Sequence, residues 1–566
     1  MQTETSVAAV ARPAGTKAKG RGIAGGHPGL AAAAVLACTI VLVPVVAIIW
    51  LAISGGGSDW PHLMANVIPR ATIRTLSLVA MTGTATCITG IITAWLIASC
   101  DFPARRFFSA ALVLPLAIPA YLSAYAFGEL FTFTGPIQSL LRFFIGFKTS
   151  RDYWFPDIRS LGGAVLVLSS VLYPYIYLAC RSMFLMQGRA TADVARTLGA
   201  SPWRVFLKVQ IPMARPAIMV GLTLVAMETL NDIGAVEFLG VQTLTFSIFD
   251  TWLNRGSLAG AAQIACIMLV FVVLLMLIER AARRRQRFSS QKTTAAVHDA
   301  VRLKLKGWQA GVAVSICALP ILLGFAVPFL VLGDYAAKRL HQLFEPRLLK
   351  ALINSIFVSA TAAILTVLLG FVLAYAARTS RSRLITIAGR LSSIGYGVPG
   401  TVLAIGVLFP LAGFDNGLDA FLRQHAGIST GLLLSGTGFA IIYACTVRFL
   451  TMAEGSIEAG FQKLSPHLDM AARTLGRNGS QTLWSVLIPM MRPAVLSAAL
   501  LVFIESMKEL SATIMLRPFN FNTLATLVYE QASRAKVEDA SVAAMIIVIA
   551  GMIPVILVSR SLDRAH

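Results

Sequence analysis

Apolar stretches of roughly 20 residues, separated by short charged segments, recur from one end of this chain to the other. That is the length of a helix crossing the hydrocarbon core of a bilayer. A chain built from such stretches is restricted to an all-α, polytopic membrane fold. Composition agrees. Hydrophobic residues make up 57% of the 566 and charged residues 13%, about half the charge of an average soluble protein. The mean hydropathy is +0.75. The 44 glycines fit the class, since glycine allows close packing of membrane helices.

Twelve spans parse from the sequence, at 29–54, 74–98, 107–130, 160–184, 216–238, 259–279, 308–332, 351–376, 389–411, 430–450, 493–516 and 540–559. Residues 1–28 are rich in Ala, Gly and Pro and read as a disordered cytoplasmic tail. The run from Gly29 is too long for a signal-peptide core and reads as a retained first span. Placing the N-terminus inside puts two thirds of the 48 Lys and Arg on the inner side, with a cluster at Arg280, Arg283, Arg284, Arg285 and Arg287. This positive-inside bias predicts that both termini are cytoplasmic. It also explains the +22 net charge through lipid headgroups, without nucleic acid.

The chain is also a tandem duplication. Asp193-Val-Ala-Arg-Thr-Leu-Gly199 returns 277 residues later as Met470-Ala-Ala-Arg-Thr-Leu-Gly476, and Ile211-Pro212 returns as Ile488-Pro489. From Asp193 to Glu228 the copies share 15 of 36 positions without a gap. Pro119 and Pro399, mid-segment in spans 3 and 9, repeat at a spacing of 280. The expected organisation is a first half over 29–279, a basic cytoplasmic linker over 280–307, and a second half over 308–566. The two halves are parallel repeats of about six helices each.

The best-kept part of the repeat lies outside the lipid, in inside loops at 185–215 and 451–492. Each is expected to run helix, glycine turn, short exposed helix, then re-entry at proline. Ser201-Pro202 forms a good helix start. Asn478-Gly479-Ser480 stands at the matching place and reads as a shifted or weaker cap. Packing alone would not require Arg196/Arg473, Gly199/Gly476, Ile211/Ile488, Pro212/Pro489 and Arg215/Arg492 to match.

With these residues the chain resembles the permeases of ATP-binding-cassette importers, with both six-helix halves fused. That family's cytoplasmic signature is Glu-Ala-Ala, three residues, Gly, nine residues, then an Ile-x-Leu-Pro-like ending. Asp193, Val194 and Ala195 match the triplet in the first copy, Gly199 the glycine, and Ile211-Pro212 the ending. In the second copy Met470, Ala471 and Ala472 match the triplet, Gly476 the glycine, and Ile488-Pro489 the ending. The first acid is shortened to Asp and the second is lost to Met470, so any salt bridge made by that glutamate is absent from the second copy. The resemblance implies two ATPase-coupling loops, carried by Asp193, Ala195, Arg196, Gly199, Ser201, Ile211 and Pro212, and by Ala472, Arg473, Gly476, Asn478, Ile488 and Pro489. It implies as partners two copies of a cytoplasmic ATPase, which binds the ATP-Mg, and a periplasmic substrate-binding protein, at a bacterial inner membrane. The strings Leu114-Pro-Leu-Ala-Ile-Pro-Ala-Tyr-Leu-Ser-Ala-Tyr125, Tyr153-Trp-Phe-Pro-Asp-Ile-Arg-Ser-Leu-Gly-Gly163, Met227-Glu-Thr-Leu-Asn-Asp-Ile-Gly234 and Phe238-Leu-Gly-Val-Gln-Thr243 are similar to the iron(III) permeases within that family. Thiamine and aminoethylphosphonate permeases share the layout and stand as alternatives.

Glu228 and Glu505 occupy equivalent positions about mid-bilayer, and the next turn adds Asp232 and Lys508-Glu509. A carboxylate there costs about 2.5–3.5 kcal/mol if it faces lipid, so Glu228 and Glu505 should face the bundle interior, water or a partner. They read either as an acidic translocation path for a cation or as structural groups tied to helix ends and to Lys508. No pattern resembles a stable metal site, because the histidines are isolated and no Glu-x-x-His pair occurs. No Walker sequence is present, so this chain is expected to bind no cofactor and to leave ATP hydrolysis to another subunit. The seven cysteines fall in or beside apolar segments and read as small buried side chains. A secondary transporter would instead keep its best-matched residues at mid-membrane, and a membrane enzyme would need a His/Asp/Cys cluster.

Overall fold

The computed structural model describes residues 28–57, 59–149, 151–186, 198–284, 302–379, 383–392, 394–465 and 467–564. The tail to residue 27 and the basic linker 285–301 lie outside the described residues, as do Asp193, Ala195 and Arg196.

Among the described residues eleven helices are long and apolar enough to span a membrane. They are Gly29–Ser54, Trp60–Ser99, Leu161–Leu185, Pro202–Asn231, Leu258–Glu279, Trp308–Lys338, Pro346–Thr379, Gly400–Ala426, Phe439–Lys463, Gly479–Lys508 and Val537–Leu557. The pair Arg105–Ala117 and Ala120–Ile145, bent by 93°, is the twelfth and stands third in sequence. Five of the seven cysteines are buried.

Several expected boundaries need correction. The third and ninth spans are not continuous. Pro119 and Pro399 each sit at a helix start, with ψ of 144° and 145°, after a break in the helix. Proline at this position lacks an N–H and forces its predecessor out of the helical region. The fifth span ends at Asn231 rather than 238, and the eleventh at Lys508 rather than 516. Each is followed by a short helix, Gly234–Phe238 or Thr513–Leu516. Re-entry at proline does not occur either. The helix begun at Pro202 runs on through Ile211-Pro212 to Asn231, and the one begun at Gly479 runs on through Ile488-Pro489.

A widened π turn makes that continuity possible. Phe206–Gln210 and Leu483–Leu487 are π-helical, and each is followed by Ile-Pro. The same device precedes Pro69 and Pro328, at Leu63–Val67 and Leu322–Ala326. A proline inside an α-helix removes one hydrogen bond and crowds the carbonyl four residues back. Inserting one extra residue in the turn before it moves that carbonyl away and lets the helix continue.

The two halves repeat tertiary contacts as well as helices. Thr75 Oγ1 accepts from Leu244 N at 2.9 Å, and 280 residues later Ser355 Oγ accepts from Leu524 N at 2.7 Å. They are also interlocked. The first span packs between its own sixth span and the ninth span of the other half. Tyr443 OH donates to Ile40 O at 2.6 Å, and a Cβ on Gly406 would lie 2.3 Å from Pro44 O. The seventh span returns the arrangement, lying between the twelfth and third. A Cβ on Gly324 would lie 2.0 Å from Ser170 O of the fourth span. A two-residue parallel bridge, Cys100–Asp101 with Leu303–Lys304, fastens the end of the linker to the first half.

Candidate functional site

Two sites emerge: the pair of repeated loops, and a polar cavity where the broken spans meet.

In the second loop the helix His467–Thr474 ends at Gly476, whose φ of +80° an L side chain rarely adopts. Arg477 N closes the end by donating to Ala472 O at 3.0 Å, the backbone bond typical of a glycine-terminated helix. Gly199 repeats the conformation at φ +82°. Nothing lies within 4 Å of a Cβ added at either glycine, so the requirement is conformational rather than steric. Two residues on, Ser201 and Asn478 cap the next helix at identical register. Ser201 Oγ accepts from Arg204 N at 3.4 Å. Asn478 Oδ1 accepts from Gln481 N at 2.9 Å, and Gln481 Oε1 accepts from Asn478 N at 3.1 Å. The second cap is therefore neither shifted nor weaker, correcting the expectation from sequence. Asparagine is among the best N-caps, and the reciprocal bond from Gln481 satisfies a second backbone donor.

The loops differ instead in how they are anchored. Trp203 and Phe206 pack with Trp95 of the second span, at centroid distances of 6.3 and 4.8 Å. Ser480 and Leu483 stand at their places in the second copy, so this aromatic clamp is absent there. Both loops leave apolar side chains bare. Leu198 is 83% exposed and its equivalent Leu475 81%, while Trp484 is 71% and Trp203 59% exposed. Such a cluster on a polar face of a membrane protein is a surface awaiting a partner. Sequence reasoning weighed the polar identities and missed Leu198, Leu475 and Trp484, although Thr-Leu-Gly was visible in both copies.

The second site is a cavity of about 110 Å³ between the third, fourth, fifth, tenth and eleventh spans. Glu228, Asp232, Glu505 and Glu509 all line it, as the sequence requires of mid-bilayer acids. Glu509 is buried and fully engaged. It accepts from Arg448 Nη1 at 2.9 Å, from Ala512 N at 2.8 Å, from Thr513 N at 3.0 Å and from Thr513 Oγ1 at 2.6 Å. Asp232, its equivalent, accepts from Ala235 N at 2.7 Å. Both carboxylates thus hold the start of the short helix that follows a broken span. Glu505 pairs with Lys508 at 2.7 Å, and Glu228 accepts from Tyr396 OH at 3.4 Å. Asn231 ties the break together: its Oδ1 accepts from Gly400 N at 2.7 Å, and its backbone O from Ser511 Oγ at 2.7 Å.

Four carboxylates therefore face one cavity with two cations, Arg448 and Lys508. Among the described residues Glu228 and Asp232 have no ion-pair partner, and no three His, Cys, Asp or Glu side chains group closely enough to hold a metal ion. Such a lining can attract a cation in passage but does not ligate one tightly. Arg448, Tyr396 and Asn231 were not anticipated. Arg448 alone gave a signal, as a single cation in the apolar run of the tenth span.

Residues 86–288 and 366–566 each match the family described as binding-protein-dependent transport system inner membrane component. A Fe(3+)-transport system permease protein of Haemophilus influenzae is 26% identical over 83% of this chain and 86% of its own length. A ferric transport system permease protein of Actinobacillus pleuropneumoniae is 22% identical over 71% of this chain and 58% of its own. The molybdenum transport system permease protein of Escherichia coli is 28% identical, over 32% of this chain and 78% of its own length.

Proposed function

The chain belongs to the family of binding-protein-dependent transport system inner membrane components, and on that premise we propose that it is the fused two-half permease of an ATP-driven importer whose cargo is ferric iron. The observation that carries the cargo reading is the extent of similarity. The ferric permease of Haemophilus influenzae aligns over 83% of the chain, both halves included, whereas the molybdenum permease aligns over 32%. The repeated loops support the coupling role. Each presents a glycine turn, a capped helix and an exposed leucine in equivalent positions, and each adds an exposed tryptophan, Trp203 or Trp484, at a place of its own. In this reading Gly199, Ser201, Ile211 and Pro212, with Gly476, Asn478, Ile488 and Pro489, shape two docking points for two copies of a cytoplasmic ATPase. Ala472 and Arg473 lie on the helix that precedes the second turn, and Asp193, Ala195 and Arg196, outside the described residues, are the first copy's candidates for the same role. ATP-Mg is held and hydrolysed on that partner, a periplasmic binding protein delivers cargo to the opposite face, and both termini are cytoplasmic.

Glu228 and Glu505 are the groups proposed to meet the cargo at mid-membrane, with Asp232 and Glu509 holding the walls. Relatives that carry molybdenum keep a second reading in play, an oxyanion importer. The test reconstitutes the chain with its cognate ATPase and loaded binding protein. ATP hydrolysis should appear only in the full assembly, and radioactive ferric uptake should follow it. Hydrolysis by this chain alone would end the permease reading. Uptake of molybdate in place of iron would move the cargo to the second reading.

A further inference from the structure

A second cavity, of about 1270 Å³, opens at the ends of the spans opposite the repeated loops. It is separated from the central one by the short helix Thr513–Leu516. Leu510 and Ser511 line the central cavity, whereas Ile514, Met515 and Leu516 line the other. Its charge is opposite in sign to that of the central cavity. Arg347, Lys350 and Arg517 line it, against the single acid Glu530. That one carboxylate is shared by three guanidiniums, Arg534 at 2.9 Å, Arg347 at 3.0 Å and Arg517 at 3.8 Å. Burial would raise the Glu530 carboxyl, but Arg347 beside it, with Arg534 and Arg517, takes it below its usual value, so it is ionised and already spent. Lys350 is exposed and has no ion pair among the described residues. Two further acids stand behind this lining rather than on it. Asp415 is wholly buried and accepts from Leu434 N, Ser435 N and Ser435 Oγ, and both oxygens of Glu237 accept from Tyr529 OH. The segment bearing Arg517 is specific to the second half, where the stretch from Glu505 to Leu524 is three residues longer than that from Glu228 to Leu244.

We propose that this vestibule receives a small oxyanion, either free or as the ligand of a ferric ion, so that cargo reaches the permease carrying negative charge. A bare trivalent cation approaching from this side would meet the basic lining before any carboxylate of the central cavity. An oxyanion finds the Lys350 ammonium, the guanidiniums of Arg347 and Arg517 and the amide of Asn520 around it, donors that suit its geometry, while Asn522 is already bonded to Glu530 and Arg517. The inference relies on the importer reading for the direction of travel but not for the identity of the metal.

The test uses the full chain in liposomes with Phe519→Cys, a fully exposed position on the lining. Its thiol is modified with a negatively and a positively charged methanethiosulfonate, each rate normalised to free cysteine and corrected for the parent's own cysteines. The surplus of positive charge on the lining, three cations against one carboxylate, should favour the negative reagent by about tenfold at low ionic strength. The bias should collapse at about 1 M salt and on Lys350→Glu. Protection then separates the sources. Slowing by molybdate or phosphate identifies a free oxyanion. Slowing by ferric citrate, beyond that by citrate alone and without effect of the other two, identifies an oxyanion carried on iron. Equal rates for the two reagents, protection by hexaamminecobalt(III), or protection by none of the anions would overturn the proposal. Stimulation of the partner ATPase is measured on the same preparations, so loss of the vestibule inference is told apart from loss of the importer reading.

Discussion

At the residue scale the central cavity turns on Arg448. Its place in the first half, 277 residues earlier, is taken by Val171, and both side chains line the cavity. Its guanidinium is the only ion-pair partner of the buried Glu509 among the described residues. Arg448→Met should therefore leave a carboxylate stranded in a low-dielectric site. The expected cost is about 3–5 kcal/mol, read as a fall in thermal midpoint and yield in detergent. Adding Glu509→Gln should recover most of it, because an amide still accepts from Thr513 N without needing a counter-charge. Glu228→Gln with Glu505→Gln should behave differently, keeping the melting temperature near the parent value while uptake at low substrate falls. Full uptake by that stable double variant would remove both residues from the cargo path. Glu228 and Glu505 were legible in the sequence as turned away from lipid, which cannot solvate them, and Asp232 and Glu509 as the acids of the next turn. Their division of labour was not legible. It depends on which of them lies beside the free N–H groups of a short helix, and the sequence reads as continuous span through that break.

At the scale of elements, the repeated loops share a shape and differ in what fixes it. In the second copy the cap dominates, so Asn478→Ala should loosen the helix start by about 1 kcal/mol and raise amide exchange from Gly479 to Thr482. In the first copy, where the Ser201 bond is long at 3.4 Å, the aromatic contact with Trp95 dominates. There Trp203→Ala should uncouple ATP hydrolysis from transport more than Ser201→Ala does. The π turns carry a separate consequence. Relieving one by Pro489→Ala lets the turn contract to α geometry, which removes one residue's worth of rotation. The face bearing Trp484 should then swing by about 100° relative to the span. Cysteine cross-linking from position 484 to the ATPase should be lost while insertion and yield stay intact. The glycine turns and the cap positions were readable from the repeat itself. The π turns were not, since Ile-Pro between two helices reads equally as a break or as a widened continuation, and only continuous packing of the span selects the second.

At the scale of the whole molecule, twelve crossings in two parallel halves were legible from hydropathy and from the repeat. The crossing of the first and seventh spans into the opposite halves was not. Each of those spans is apolar on every face, and the contacts that place it are small residues at a close approach, such as Gly406 against Pro44 and Gly324 against Ser170. A chain cut within 285–301 tests the interlock. Either half expressed alone should be poorly extracted and quickly degraded, whereas the two co-expressed should purify together and support transport. The same interlock sets an order of events during synthesis. Pro44 enters the membrane long before Gly406 exists, and at about 5–20 residues per second the wait is roughly 20–70 s. For that interval one flank of the first span must be covered by lipid or by the insertion machinery. In a protein made as two separate chains, the missing neighbour would then have to be found by diffusion in the plane of the membrane. Here the ribosome delivers it on the same tether, in equal number, and the search is replaced by a delay.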